Sequence, residues 1–160
     1  MSNALPDIPN VVAPPLALYI VAFLLGCFIE THARQAILSS YVASSVLGGT
    51  VFVLSGAFAL WAFVSMRRIG TSAMPWKPTT ALSTDGPFRI TRNPIYVAMT
   101  GLYLGLTFVA NSLWPLLSAI PLLVLMQWGV VLREERYLSL KFGEEYLAYR
   151  SRVPRWLLCC

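Results

Sequence analysis

Long uncharged, apolar stretches separated by short polar segments set the pattern of the chain. No charge falls between Asp7 and Glu30, and Val11 to Ile29 is nearly all apolar. This first run is opened by Pro14 and Pro15, which suit the first turn of a helix. The chain is uncharged again from Tyr41 to Met66, up to Arg67 and Arg68. The next uncharged stretch, Asn93 to Leu132, is about twice the length of one crossing and is punctuated at Asn111, Ser112 and Pro115, so it reads as a tight hairpin of two helices. The pattern therefore predicts an all-α, polytopic integral membrane bundle with about four transmembrane helices, near 12–29, 42–66, 94–110 and 113–132. After them, residues 133–160 form a tail with an amphipathic helix, in which Phe142, Tyr146 and Tyr149 recur at helical spacing after Tyr137 among basic residues.

Composition agrees. Of 160 residues 57% are hydrophobic and only 12% charged, against roughly a quarter charged in a soluble domain, so the solvent is lipid. The length holds one domain, 1–160. Basic residues sort by side: Arg34 alone lies in the first loop, whereas Arg67, Arg68, Lys77, Arg89 and Arg92 lie in the second and Arg133, Arg136, Lys141, Arg150, Arg152 and Arg155 in the tail. That bias places the second loop and the C-terminus in the cytoplasm. The first apolar run does not read as a cleavable signal, because no basic residue precedes it. Cys27, Cys159 and Cys160 give no disulfide framework and read as reduced thiols, and the terminal pair gains little from lipidation in a chain already spanning the bilayer.

Two polar segments flank the predicted hairpin and so emerge together. One runs from Thr84-Asp85-Gly86-Pro87 through Arg89 and Arg92-Asn93-Pro94 to Tyr96; the other runs from Arg133-Glu134-Glu135-Arg136 to Tyr149 and Arg150. Asn93-Pro94 reads as the N-cap and first-turn proline of span three, a helix start that also attracts an anion, with Arg89 and Arg92 beside it. Consecutive helical side chains diverge by about 100°, so at most one of Glu134 and Glu135 is expected to face the bundle, the other facing solvent or Arg136. The small-residue pairs Ser44/Gly48 and Ser45/Gly49 read as helix packing. Gly101/Gly105 divides between packing, a homodimer contact and the site beside it. The only histidine, His32, is predicted on the opposite face, so neither a metal site nor a Ser-His-Asp arrangement is expected. Phosphate-loop and dinucleotide fingerprints are missing, and orientation and anionic lipid account for the basic excess without nucleic acid.

The ordered series Met66-Arg67-Arg68-Ile69-Gly70-Thr71, Gly86-Pro87-Phe88-Arg89, Arg92-Asn93-Pro94-x-Tyr96, Glu134-Glu135 and Phe142-Gly143-x-x-Tyr146 resembles that of the isoprenylcysteine carboxyl methyltransferase and phospholipid methyltransferase superfamily. It spans about the last 95 residues and leaves span one uncovered. The resemblance implies a membrane enzyme that binds S-adenosylmethionine at the cytoplasmic ends of its last helices and methylates a lipophilic acceptor: a prenylcysteine-type carboxylate, a phospholipid amine or a small hydrophobic metabolite. It assigns the cofactor to Arg92, Asn93, Tyr96, Glu134 and Glu135, with Tyr146 and Tyr149 covering it from the tail and Gly101 counted with them. It assigns the chemistry to Arg89, nearest an acceptor carboxylate or phosphate, and to Glu134 and Glu135, as proton acceptors for an amine. Asn93 departs from the histidine of better-known members and cannot titrate near neutral pH, and Ala98 stands where glycine often follows; both bear on the acceptor more than on the cofactor. A sterol-reductase-like enzyme using NADPH and a non-catalytic lipid-binding protein are the rival readings.

Overall fold

The computed structural model describes residues 8–72 and 77–157. Cys159 and Cys160 and the N-terminal residues through Asp7 lie outside them. The described residues form helices α1 (Pro15–His32), α2 (Tyr41–Arg68), α3 (Pro94–Ala110), α4 (Leu113–Met126), α5 (Leu132–Phe142) and α6 (Glu144–Arg152). A 3₁₀ turn, Gly86–Arg89, precedes α3, and a π-helical turn, Gln127–Val131, joins α4 to α5 into one rod. Among the described residues, three apolar rods are long enough to cross a membrane: α1, α2 and Leu113–Phe142; α3 is apolar and shorter at 17 residues. At 1.5 Å per residue α3 is about 26 Å long, close to the hydrocarbon thickness of a bilayer.

The four apolar segments are those the hydrophobic pattern predicts, with ends that local chemistry explains. Pro15 opens α1 and Pro94 opens α3 at positions where a helix has no use for the N–H. Ser40 caps α2 by accepting the Ala43 N–H. Asn111 ends α3 in the left-handed conformation, φ 46°, and its side chain ties down the α1–α2 connection: Oδ1 accepts the N–H groups of Ile37 and Leu38, and Nδ2 donates to the Leu38 carbonyl.

The bundle packs as two pairs, α2 with α3 and α1 with α4. Glycine makes both contacts close. A Cβ on Gly48 would stand 2.5 Å from the Val109 nitrogen, and one on Gly105 2.8 Å from Phe52, so α2 and α3 meet backbone to backbone. The Ser44 hydroxyl adds a hydrogen bond of 2.6 Å to the Phe108 carbonyl. In the other pair Gly26 lies against Pro115. Tyr103 and Tyr19 join the pairs: the Tyr103 hydroxyl donates to the Pro115 carbonyl at 2.7 Å, and the Tyr19 hydroxyl meets Thr100 Oγ1 at 2.7 Å. Outward-facing apolar side chains such as Leu24, Phe28, Val42, Leu54 and Ile120 are exposed along the rods, which is the surface of a protein solvated by acyl chains.

Gly49 faces open space, so Ser45/Gly49 is not part of a helix contact there. The Gly101/Gly105 face is covered within the chain by α2: Gly101 lies against Ser55, and Gly105 against Phe52 and Gly48.

Candidate active site

The site forms where the connection into α3, the α4–α5 rod and the C-terminal segment meet. Thr91, Arg92 and Asn93 run alongside Pro154 and Arg155. The Arg92 N–H donates to the Pro154 carbonyl at 2.9 Å, and the Thr91 hydroxyl and the Asn93 side-chain amide both donate to the Arg155 carbonyl, at 2.7 and 3.1 Å. Asn93 holds the N-cap position, but its side chain caps nothing; it ties the tail to the start of α3 instead. Upstream, Gly86 at φ 61° lets the 3₁₀ turn press onto Trp61 and Ser65 of α2, a conformation that favours glycine.

Glu135 is the electrostatic centre. It is 5% exposed and lies 2.9 Å from Arg92 Nη1 through Oε1. Arg155 reaches the same carboxylate in bidentate fashion, Nε to Oε1 at 2.9 Å and Nη2 to Oε2 at 2.7 Å. A carboxylate this buried requires cationic partners, and here it has two. Glu134, the next residue, accepts a hydrogen bond of 2.7 Å from the Tyr96 hydroxyl of α3. The expectation that one of the pair faces solvent or Arg136 is therefore corrected: both line the same cleft, because partners flank α5 on two sides roughly as far apart as consecutive side chains. The π turn immediately before α5 sets that phase, since an extra residue in one turn rotates everything after it.

Gly143, at φ 52°, ends α5 and folds α6 back so that Tyr146 and Tyr149 reach the cleft. The Tyr149 hydroxyl donates to the Phe88 carbonyl at 2.7 Å. Tyr146 is 1% exposed, with its phenol beside Arg92. Burial pushes both phenols above their ordinary range, so they stay neutral donors. The cleft, about 110 Å³, is completed by Met66, by Thr79, Ala81, Leu82 and Ser83, and by Pro9 of the N-terminal segment.

Arg92, Asn93, Tyr96, Glu134, Glu135, Tyr146 and Tyr149 thus share one cleft, and two candidates do not. Arg89 is exposed at the end of the 3₁₀ turn and lies outside the lining. Gly101 serves the α2 contact, and Ala98 is buried away from the cleft. His32 ends α1 at the far side of the bundle, and among the described residues no group of His, Cys, Asp and Glu could hold a metal. The residues missed from sequence are Arg155, Pro9 and Trp156, whose Nε1 donates to Gln127 of the π turn at 3.1 Å. Arg155 reads in sequence as one more basic tail residue; only its bonds to Glu135 set it apart.

The chain matches the phospholipid methyltransferase family over residues 43–145, which begins within α2 and stops just short of Tyr146, Tyr149 and Arg155. An uncharacterized protein of Haemophilus influenzae is 46% identical over 50 residues, a stretch that is 31% of this chain and 78% of that protein. No solved structure matches the chain.

Proposed function

We propose that this chain, which belongs to the phospholipid methyltransferase family, transfers a methyl group from S-adenosylmethionine to a lipophilic acceptor at the cytoplasmic face of a membrane. The observation that carries this reading is the convergence of cations, carboxylates and aromatic rings in one cleft at the end of the bundle. S-adenosylmethionine supplies a methyl group already activated on a sulfonium. What remains for the protein is to bind, orient and exclude water.

The donor and acceptor set fits that ligand. Arg92 lines the cleft, and its buried Nε has no hydrogen-bond partner among the described residues, which suits a ligand carboxylate. Glu134 has Oε1 held by Tyr96, and its carboxylate suits an ammonium or a ribose hydroxyl. Glu135 is a positioning residue: its charge is taken up by Arg92 and Arg155, and it holds Arg92 in place. Tyr146 and Tyr149 supply the aromatic cover. At about 110 Å³ the cleft is below the ~300 Å³ of pockets that take drug-sized ligands, so its walls part to admit the cofactor. In the wall that carries Thr79, the Thr79 N–H donates to the Tyr137 hydroxyl of α5 at 3.2 Å.

Asn93 has its amide committed to Arg155, so no proton passes through that position. An ionised carboxylate or thiolate acceptor needs no base; an amine acceptor would give its proton to Glu134. The basic bias of the second loop and tail supports a cytoplasmic site.

The test is transfer of a labelled methyl group into lipid-extractable product, by the purified protein in nanodiscs supplied with a lipid extract. Label should appear with the native chain and fall roughly tenfold or more with Arg92→Ala, the loss of one charged hydrogen bond to a ligand. No label in any extracted product, from a folded protein, would overturn the reading.

A further inference from the structure

Arg155 reaches Arg92 in two ways. The first is through the backbone. The Arg155 carbonyl accepts hydrogen bonds from both sequence neighbours of Arg92, the Thr91 hydroxyl at 2.7 Å and the Asn93 amide at 3.1 Å, and the Arg92 N–H itself donates to the adjoining Pro154 carbonyl at 2.9 Å. One residue further on, Trp156 Nε1 donates to Gln127 of the π turn and pins the segment again. The chain on either side of Arg92 is therefore fixed by the tail.

The second way is through Glu135. Arg155 Nε and Nη2 take both oxygens of that carboxylate, at 2.9 and 2.7 Å. Arg92 keeps a single contact with it, Nη1 to Oε1 at 2.9 Å, which lacks hydrogen-bond geometry: Arg92 Nε and Nη1 are buried with no hydrogen-bond partner among the described residues. The two groups would not stand this way if left to themselves. A guanidinium and a carboxylate in contact favour a fork of two parallel hydrogen bonds, and with side chains 8% and 7% exposed Arg92 and Glu135 have little water to compete for them. Arg155 already holds that fork, so Glu135 has none to offer Arg92. Buried donors left open are costly unless something pairs with them, and Arg92 lines the cleft.

We propose that Arg155 is a positioning residue that keeps Arg92 open for a ligand carboxylate, by occupying Glu135 in bidentate fashion and by fixing the backbone around Arg92. Arg155 is not in the lining of the cleft and lies beyond residue 145, where the family match ends; it acts through Glu135 and Arg92. The identity of the ligand as S-adenosylmethionine rests on the function proposed above, whereas the hold of Arg155 on the Arg92 geometry does not.

Arg155→Gln frees Glu135 to turn and pair with Arg92 through two nitrogens. In protein carrying isotope-labelled arginine, in nanodiscs without ligand, the Arg92 Nε–H resonance is identified by its loss in Arg92→Lys. In Arg155→Gln it should move downfield and exchange with water several-fold more slowly than in the native chain. Affinity for S-adenosylmethionine, by calorimetric titration, should fall roughly tenfold, the loss of one charged hydrogen bond. Adding Glu135→Gln removes the carboxylate that captures Arg92, so the double variant should bind several-fold more tightly than Arg155→Gln. Were Arg155 only a fastener of the tail, the second substitution would leave the loss in place or deepen it. Thermal melting checks that each variant is folded. The Arg155 side chain is 26% exposed, and Arg155→Lys, which keeps the charge without the fork, serves with the same expected direction if Arg155→Gln does not fold. An unchanged Arg92 resonance in a folded variant, or a folded double variant that binds no more tightly than Arg155→Gln, overturns the proposal. A native chain that binds no S-adenosylmethionine overturns the cofactor reading instead, and the ligand-free resonance alone then decides the role of Arg155.

Discussion

Glu134 and Glu135 are neighbours in sequence with separate work, and substitution should part them. Glu135→Gln leaves Arg92 and Arg155 facing each other around a neutral amide, and removing one partner of a buried ion pair typically costs about 3–5 kcal/mol. Its melting temperature in nanodiscs should fall well below that of the native chain. Glu134→Gln keeps an acceptor for the Tyr96 hydroxyl and should melt close to native while binding cofactor more weakly. Equal destabilisation by both would contradict this division. Tyr149 gives a pH dependence. Burial raises its phenol above the ordinary value of 10.0, so between that value and the folded one the unfolded chain holds fewer protons and stability falls as pH rises. The native chain should therefore lose melting temperature above about pH 10. Tyr149→Phe should start lower at neutral pH, having lost the bond to Phe88, and fall less steeply. Parallel alkaline profiles would show that the phenol carries no such linkage.

The α2–α3 seam depends on glycine at specific positions. A methyl group at Gly48 meets Val109 and Gly105 backbone, whereas one at Gly49 meets nothing within 4 Å. Gly48→Ala should lower stability by about 1–3 kcal/mol, the usual cost of overpacking. Gly49→Ala should be neutral or slightly stabilising, as a glycine replaced in a helix interior; chemical denaturation in micelles would compare the two. Legibility in the sequence divides along the same lines. The apolar runs, Pro15, Pro94 and the Asn111 corner were readable because length, a fixed φ and a left-handed corner leave local signatures. The Gly48 and Gly49 pairs looked alike, because small-residue spacing does not say which stripe another helix covers. The π turn was invisible too. It has no composition of its own, yet it sets the rotation at which α5 presents Glu134 and Glu135. Arg155 was unreadable in its role because its partner lies 20 residues away and is reached only after Gly143 turns the chain back.

At the scale of the whole molecule, the basic residues gather at the end of the bundle that holds the cleft. If that end is cytoplasmic, a membrane-impermeant maleimide applied to intact cells should label Gln35→Cys, in the α1–α2 connection, and should reach Arg68→Cys only after permeabilisation, with the natural cysteines replaced by serine. The reverse pattern would invert the protein. The bundle's exposed apolar rods explain why the site sits at its end: hydrocarbon cannot satisfy a cluster of guanidinium and carboxylate groups, so the polar chemistry collects where the rods leave the membrane. The most direct test of the central claim is calorimetric titration of the protein in lipid nanodiscs with S-adenosylmethionine and S-adenosylhomocysteine, beside folded Arg92→Ala and Glu134→Gln. Saturable binding of both compounds, weakened roughly tenfold or more by either substitution, is the predicted result. A folded native protein that binds neither compound, or substitutions that leave the affinity unchanged, would contradict the assignment of this cleft.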